Sequence, residues 1–433
     1  MTGADADGTV RRQEPAGTSW ADHAVWWHVY PLGFADALSA GPGRRLDRIV
    51  GWLDYAVQLG ASGLQLGPIF ASETHGYDTT DHFRIDPRLG DEADFDRLVT
   101  AASDRGLHVL LDGVFNHVGR SFAAPEHWYR RTASGDPLVF EGHGGLVALN
   151  HDEPEVLDHV VRVMNHWLDR GASGWRLDAA YAVPPAFWRA AMDRVRPQHP
   201  GAWFTGEVIH GDYPAYLRDS GLDSVTQYEL WKATWSSLND RNLFEMAWAL
   251  DRHAAAVDAG LPLTFLGNHD VTRIASQLTD GRHLGHALAV LCTVGGAPSI
   301  YYGDEQGFLG VKEDRVGGDD AIRPAFPASP AELGSDGWPV YRLHQRLIGL
   351  RRRHPWLSRA HTTATHLTNT SAALESQTPG ESTRRVVTLL NLGDEPFAAP
   401  VEVSGPLALL DSDTPDDGRA TNVVPAHGWS ILG

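Results

Sequence analysis

Short apolar runs recur along the chain, each closing on polar or acidic residues before a stretch whose apolar positions repeat at three and four. Eight runs predict strands: "VWWHVYPLGF" from Val25, "ASGLQLGPIF" from Ala61, "LHVLLDGVFNH" from Leu107, "SGWRLDAA" from Ser173, "WFTGEV" from Trp203, "LDSVTQYE" from Leu222, "LTFLGNHD" from Leu263 and "APSIYYGDE" from Ala297. Between them, "RLDRIVGWLDYAVQLG", "DEADFDRLVTAASDRG" and "EPEVLDHVVRVMNHWLDRG" predict amphipathic helices, each stopped by a Gly. Strands and helices alternating in this way predict an α/β fold, a (β/α)8 TIM barrel. Past about Leu357, short alternating segments such as "RRVVTLLNL" and "APVEVSG" predict a small C-terminal antiparallel β domain.

The predicted organisation is a mobile N-terminal tail over 1–20, a barrel over 21–357 and the β domain over 358–433. Inside the barrel, 119–150 is rich in Gly, His and Pro without a clear period. It reads as a short excursion after the third strand that roofs the rim.

Polar residues gather where the strands end, which is the active-site face of such a barrel. Asp112, Asn116 and His117 close the third strand, Arg176 and Asp178 the fourth, Glu207 the fifth, and Asn268, His269 and Asp270 the seventh. In "GWRLDAAY", Arg176 and Asp178 share one side of their strand, where unshielded charges would be costly. Alone, that pair fits a structural ion pair equally well; convergence on one rim favours a site. Three carboxylates from three strands suit glycoside hydrolysis by a retaining route, with a nucleophile and a proton donor about 5 Å apart. Arg176 is expected to hold Asp178 ionised, and Glu207, beside other carboxylates, to keep its proton.

Composition narrows the partners. A net charge of −19 argues against nucleic acid or an anionic membrane surface, both of which need a basic footprint. The single cysteine, Cys292, rules out an intrachain disulfide framework and reads as a buried core thiol. No run of about 18 apolar residues predicts a membrane span. "MTGADADGTVRRQEPAGTSW" lacks the apolar core of a secretory signal, so a cytoplasmic location is expected. The 22 His residues show no zinc-like grouping, and "HDEPE" from His151 predicts a helix start capped by Asp152.

Taken in order, "DGVFNH", "GWRLDAA", "GEV" and "FLGNHD" resemble the four signature regions of the alpha-amylase family, glycoside hydrolase family 13. "GYDTTDHFRIDPRLG" and "IYYGDE" extend the resemblance over roughly Val25 to Arg353. It implies an α-glucan oligosaccharide as substrate, Asp178 as nucleophile, Glu207 as general acid/base, and Asp270 as the carboxylate that grips sugar hydroxyls and stabilises the transition state. His117, Arg176 and His269 would hold the sugar, and Tyr77 would stack beneath it.

Departures from the family pattern refine this. Exo-acting oligo-1,6-glucosidases usually carry Asp where this chain has Thr74, and "SETHGYD" is closer to the cyclomaltodextrinase and neopullulanase branch. That branch accepts short linear or cyclic α-glucans and some α-1,6 links. Tyr181 and Ala182 replace the Lys and His of many α-amylases, while Asn116 matches one family calcium ligand. Calcium is therefore left open and no cofactor is predicted. Only about twenty polar residues precede the barrel, where that branch carries an additional β domain. A compact cytoplasmic hydrolase of imported oligosaccharides is expected, with oligomeric state open. A transglycosylase or isomerase of the trehalose-synthase kind, or an exo-α-glucosidase, would use the same carboxylates. Among the tryptophans, Trp52, Trp167 and Trp188 are expected in the core, and Trp231 and Trp235 are subsite candidates.

Overall fold

The computed structural model describes residues 20–315, 317–381, 384–400, 408–413 and 422–433. Each of the eight apolar runs forms a strand: β1 (Trp26–Val29), β2 (Gly63–Leu66), β3 (His108–Gly113), β4 (Gly174–Leu177), β5 (Trp203–Gly206), β6 (Ser224–Val225), β7 (Leu263–Phe265) and β8 (Ala297–Tyr301). They pair in the order β6-β5-β4-β3-β2-β1-β8-β7. The ring closes where Thr226, just past β6, bridges in parallel to Leu263 of β7. There the Gln227 N–H donates to the Leu263 carbonyl at 2.9 Å. The chain folds as a (β/α)8 barrel.

Period-two alternation stacks the barrel interior in layers. Trp26 lies level with Gly63 and His28 with Gln65; Leu110 lies level with Gly174 and Asp112 with Arg176; Gly174 lies level with Trp203 and Arg176 with Thr205. The bottom layer is apolar: Trp26 stacks on Trp203 with ring centroids 5.6 Å apart, and Leu110, Leu263 and Ala297 pack with them. Glycine makes room for it, since a Cβ at Gly63 would fall 2.5 Å from the Trp26 ring and one at Gly174 would overlap the Trp203 carbonyl. Above this plug sits a buried polar layer of His28, Gln65, Arg176, Thr205 and Ser299, in which the Ser299 hydroxyl donates to Gln65 Oε1 at 3.1 Å. The next inward positions, Asp178 and Glu207, emerge at the rim. An apolar floor seals the barrel and leaves charge only at its open end.

The helices differ from expectation in two places. "RLDRIVGWLDYAVQLG" breaks into Leu46–Val50 and α1 (Leu53–Leu59). Trp52, between them, is fully buried against Phe326 at 4.5 Å and Tyr55 at 4.9 Å, so tertiary packing overrides helical continuity. Helix α2 (Glu92–Ser103) starts at a reciprocal cap between Asp91 and Asp94. Helix α3 (Pro154–Asp169) is led by Glu153 without a side-chain cap, not by Asp152. Pro154 takes the first helical position, where its ring presets the first turn, and the Val156 N–H that a cap could serve goes to the Glu153 carbonyl at 3.1 Å.

Beyond β3, His117–Gly119 pairs antiparallel with Leu146–Ala148, so the excursion is tied down by its own small sheet. A second hairpin, Phe70–Ser72 with Thr79–Ile85, was not anticipated and carries Tyr77 in its connecting loop. At the C-terminal end, β9 (His361–Leu367), β10 (Ser371–Gln377), β11 (Arg385–Asn391), β12 (Leu409–Ser412) and β13 (Trp429–Leu432) form an antiparallel sheet in the order β9-β10-β11-β13-β12. "RRVVTLLNL" falls on β11; most of "APVEVSG", and the predicted tail apart from Trp20, lie outside the described residues. The sheet packs on a barrel helix through a Thr388–Thr293 hydroxyl bond of 2.8 Å. Cys292 is buried beside it, and burial pushes its thiol up to about 12.

Candidate active site

Arg176 is the hub of the rim. Its Nη1 donates to Asp112 Oδ1 at 2.8 Å and to Asp178 Oδ1 at 2.7 Å, while its Nη2 lies 2.9 Å from Glu207 Oε1. Two residues past β4, Ala179 adopts the left-handed region at φ 44°. Its N–H donates to Glu207 Oε2 at 2.8 Å. A non-glycine residue held there stores strain, and here the turn aims a backbone donor at a carboxylate. Tyr228 donates its hydroxyl to Glu207 Oε1 at 3.2 Å and accepts from Asn268 Nδ2 at 2.9 Å. Asn268 Oδ1 in turn accepts the Asp270 N–H at 2.8 Å. Hydrogen bonds thus link Glu207, just past β5, to Asp270 beyond β7.

Asp270 lies at the more open edge, with its side chain 32% exposed. His269 Nε2 stands 2.8 Å from Asp270 Oδ2, and Arg323 Nη2 stands 2.9 Å from Oδ1. Burial alone would raise this carboxyl, but His269, Arg323 and Arg176 outweigh it and hold Asp270 well below the usual range. Arg323 also donates from Nε to the His269 carbonyl at 2.8 Å and lies over the Tyr30 ring at 4.8 Å. The Tyr77 ring runs parallel to that of His269 at 5.3 Å. Its hydroxyl donates to Asp112 Oδ2 at 3.0 Å and also meets His269 Nε2.

The excursion supplies the roof. Phe140 stacks on His117 at 4.8 Å, and Glu141 accepts the Tyr181 hydroxyl at 2.7 Å. His117 Nε2 lies 3.9 Å from Asp178 Oδ2, while its Nδ1 lies 3.1 Å from the Asn116 amide. Asn116 is therefore engaged with the histidine. Burial lowers His117 to about 4 and lowers His269 despite Asp270, so both rings are neutral near pH 7. His117 Nε2 and His269 Nδ1 are buried with no hydrogen-bond partner among the described residues. Buried polar atoms left unpaired beside a reactive centre suit a ligand rich in hydroxyls.

Every residue singled out in the sequence (Tyr77, His117, Arg176, Asp178, Glu207, His269 and Asp270) thus belongs to one contact network. One detail needs correction: Arg176 does not serve Asp178 alone. It contacts both carboxylates, and both are raised, by burial first, with Arg176 opposing in each case. The next contributor at Glu207 is the Asp178 charge, with Asp270 after it, whereas at Asp178 it is Asp270. Burial also pushes Asp112 up to about 7, against Arg176. Arg323 and Tyr228 were missed. Arg323 lies in an irregular segment whose only signal is its place after β8. Trp231 lines a groove next to the site, whereas Trp235 is absent from that lining. Trp52, Trp167 and Trp188 are fully buried.

The chain matches the alpha-amylase catalytic domain over residues 28–138 and 126–376, and it belongs to that family of glycoside hydrolases. It is similar to a cyclomaltodextrinase from Bacillus sp, 29% identical over 79% of this chain and 67% of that protein. Neopullulanase 2 from Thermoactinomyces vulgaris is 30% identical over 80% of this chain and 66% of its own length. The chain thus spans about two-thirds of these curated relatives. Among solved structures, the ligand-free cyclic alpha-maltosyl-(1→6)-maltose hydrolase from Arthrobacter globiformis superposes with a TM-score of 0.81 at 26% identity. That match covers 96% of this chain and 99% of that one.

Proposed function

We propose that the protein is a retaining hydrolase of α-1,4 bonds in short linear or cyclic maltooligosaccharides, with α-1,6 bonds as a second linkage. The observation that carries this reading is one guanidinium bridging Asp178 and Glu207 through neighbouring nitrogens. A pair gripped that way suits the close spacing of a retaining enzyme better than the wider gap in which an inverting enzyme seats its water. Asp178 attacks the anomeric carbon as Glu207 protonates the departing glycosidic oxygen. Glu207 then takes a proton from water, whose oxygen displaces Asp178.

Ionised Asp270 and the neutral rings of His117 and His269 hold the sugar hydroxyls and offset the developing positive charge. Tyr77, its hydroxyl already engaged, offers its ring. No cofactor enters this chemistry, and a cytoplasmic site of action is part of the reading. Similarity along nearly the whole length of a hydrolase of a small α-1,6-containing ring supports short and cyclic substrates.

A time-resolved product panel tests this, using maltotriose, maltohexaose, β-cyclodextrin, a cyclic maltosyl-maltose, pullulan, isomaltose and soluble starch, with Asp178→Asn as the blank. Preferential attack on the short and cyclic glucans is expected. Long fragments from starch as the main product, or glucose from isomaltose alone, would overturn the substrate assignment.

A further inference from the structure

Where the C-terminal sheet meets the barrel, two histidines face each other across the seam. His283 leads directly into α4 (Leu284–Thr293), the barrel helix on which the sheet packs, and His427 stands two residues before β13. His283 Nε2 lies 3.2 Å from His427 Nδ1. Asp280, just ahead of α4, joins them, and one ligand atom from each of the three lies within 4.8 Å of the others. We infer that Asp280, His283 and His427 form a binding site for a divalent transition-metal ion of the zinc type, which clamps the C-terminal β domain to the barrel. None of the three belongs to the rim network, so the ion is structural. The two histidines stand 144 positions apart along the chain, which is why no zinc-like spacing marks them in the sequence.

The spacing of the nitrogens supports this first. Two imidazoles bound to one tetrahedral zinc at roughly 2.0–2.1 Å stand about 3.3 Å apart, close to the 3.2 Å between these two rings. Their orientation is set from behind. His427 Nε2 lies 2.8 Å from Asp394 Oδ1, a bond that places the proton of the neutral ring on Nε2 and turns the Nδ1 lone pair toward His283. A carboxylate behind the far nitrogen is the arrangement that orients metal-binding histidines. Burial lowers His283, with Asp280 opposing, so its ring is neutral near pH 7 and has a lone pair to give. Two imidazoles with one carboxylate suit zinc better than calcium, which takes oxygen ligands.

The site is closed on one side and open on the other. His283 is 3% exposed and the His427 side chain 8%, whereas the Asp280 side chain is 29% exposed and gives an ion its way in. Arg282 pairs with Asp280 at 2.6 Å, but its own side chain is 62% exposed. A surface pair of that kind is weak enough to yield the carboxylate to a divalent ion, with Arg282 turning out to solvent.

The test strips the full chain with EDTA, titrates it with zinc chloride by calorimetry and counts the zinc retained after gel filtration. One ion per chain is expected, bound at least tenfold more weakly by His283→Gln and His427→Gln. Asp394→Asn should weaken it about tenfold, and that side chain, 74% exposed, is a change the fold tolerates. Zinc should also raise the Tm of the wild type and leave that of His427→Gln where it is. His127→Gln is the control, because His127, Glu153 and Glu155 form the other such trio among the described residues. No zinc retained by the wild type would mean that the two rings share a hydrogen bond only, and overturns the inference. Zinc whose affinity ignores His427 and Asp394, or falls instead with His127→Gln, overturns it as well. Binding at this site without a rise in Tm overturns the clamp.

Discussion

Arg176 faces three carboxylates, Asp112, Asp178 and Glu207, whereas Arg273 faces one, Asp304, at 2.8 Å. Both guanidiniums are buried. Arg273 Nη1 and Nη2 also reach the carbonyls of Tyr302 and Ile322, each at 2.9 Å, and the Tyr301 ring covers the guanidinium at 4.6 Å. Around Arg273 one carboxylate balances one cation and the other neighbours are neutral. Around Arg176 acidic groups outnumber the cation and the cluster opens toward the rim. A one-to-one structural ion pair therefore exists in this protein, at Arg273 and not in "GWRLDAAY". Burial raises Asp304 too, to about 6, so what separates the two sites is company and access: Asp304 is closed in with one cation, whereas Asp178 and Glu207 are raised further by neighbouring carboxylates and open onto the rim.

Three substitutions sharpen that contrast. Glu207→Gln is expected to cut turnover of natural glucans by about 10²–10⁴-fold, with a milder loss on activated aryl glycosides whose leaving groups need less protonation. Equal losses on both would remove the acid role. Arg273→Met is expected to lower unfolding free energy by about 3–5 kcal/mol, because Asp304 is left buried without its partner. Turnover per folded molecule, counted by active-site titration, should hold; if it collapses while stability does not change, the division between the two arginines fails.

The third readout, a pH shift, is the smallest, and it is taken on the turnover that remains once Asp270 no longer holds the sugar. Asp270→Asn removes a negative charge that raises both Asp178 and Glu207. A carboxylate relieved of a like-charged neighbour ionises more easily, so both limbs of the kcat/KM–pH profile should move to lower pH. A shift of either limb to higher pH would contradict this electrostatic arrangement.

The strands were legible because each is a short apolar run that ends on chemistry at one rim; Asp112, Arg176, Asp178 and Glu207 all stand at or near those ends. Arg176's sharing was not legible. Asp178 and Glu207 sit on adjacent strands, and how far one guanidinium reaches across a barrel depends on closure, which spacing along the chain does not encode. Arg323 and Tyr228 escaped for a related reason: one lies in an irregular segment and the other begins a helix, so neither follows a periodic pattern. The break at Trp52 reflects a side chain whose burial outweighs helical continuity. The hairpin that holds Tyr77 was not legible, because the polar run "DTTDH" reads as a rim loop and only "FRI" alternates.

The central claim is that Asp178 forms a covalent bond to the sugar while Arg176 holds Glu207 ready beside it. Its most direct test is incubation of Glu207→Gln with a 5-fluoro-α-maltosyl fluoride, followed by proteolysis and mass spectrometry of the peptides. Fluoride departs in place of the natural leaving group, and the slowed hydrolysis lets the ester accumulate. One maltosyl adduct is expected on the peptide bearing Asp178, absent in an Asp178→Asn, Glu207→Gln double variant. An adduct on Asp112, Glu207 or Asp270 would contradict it, as would fluoride release with no adduct at all.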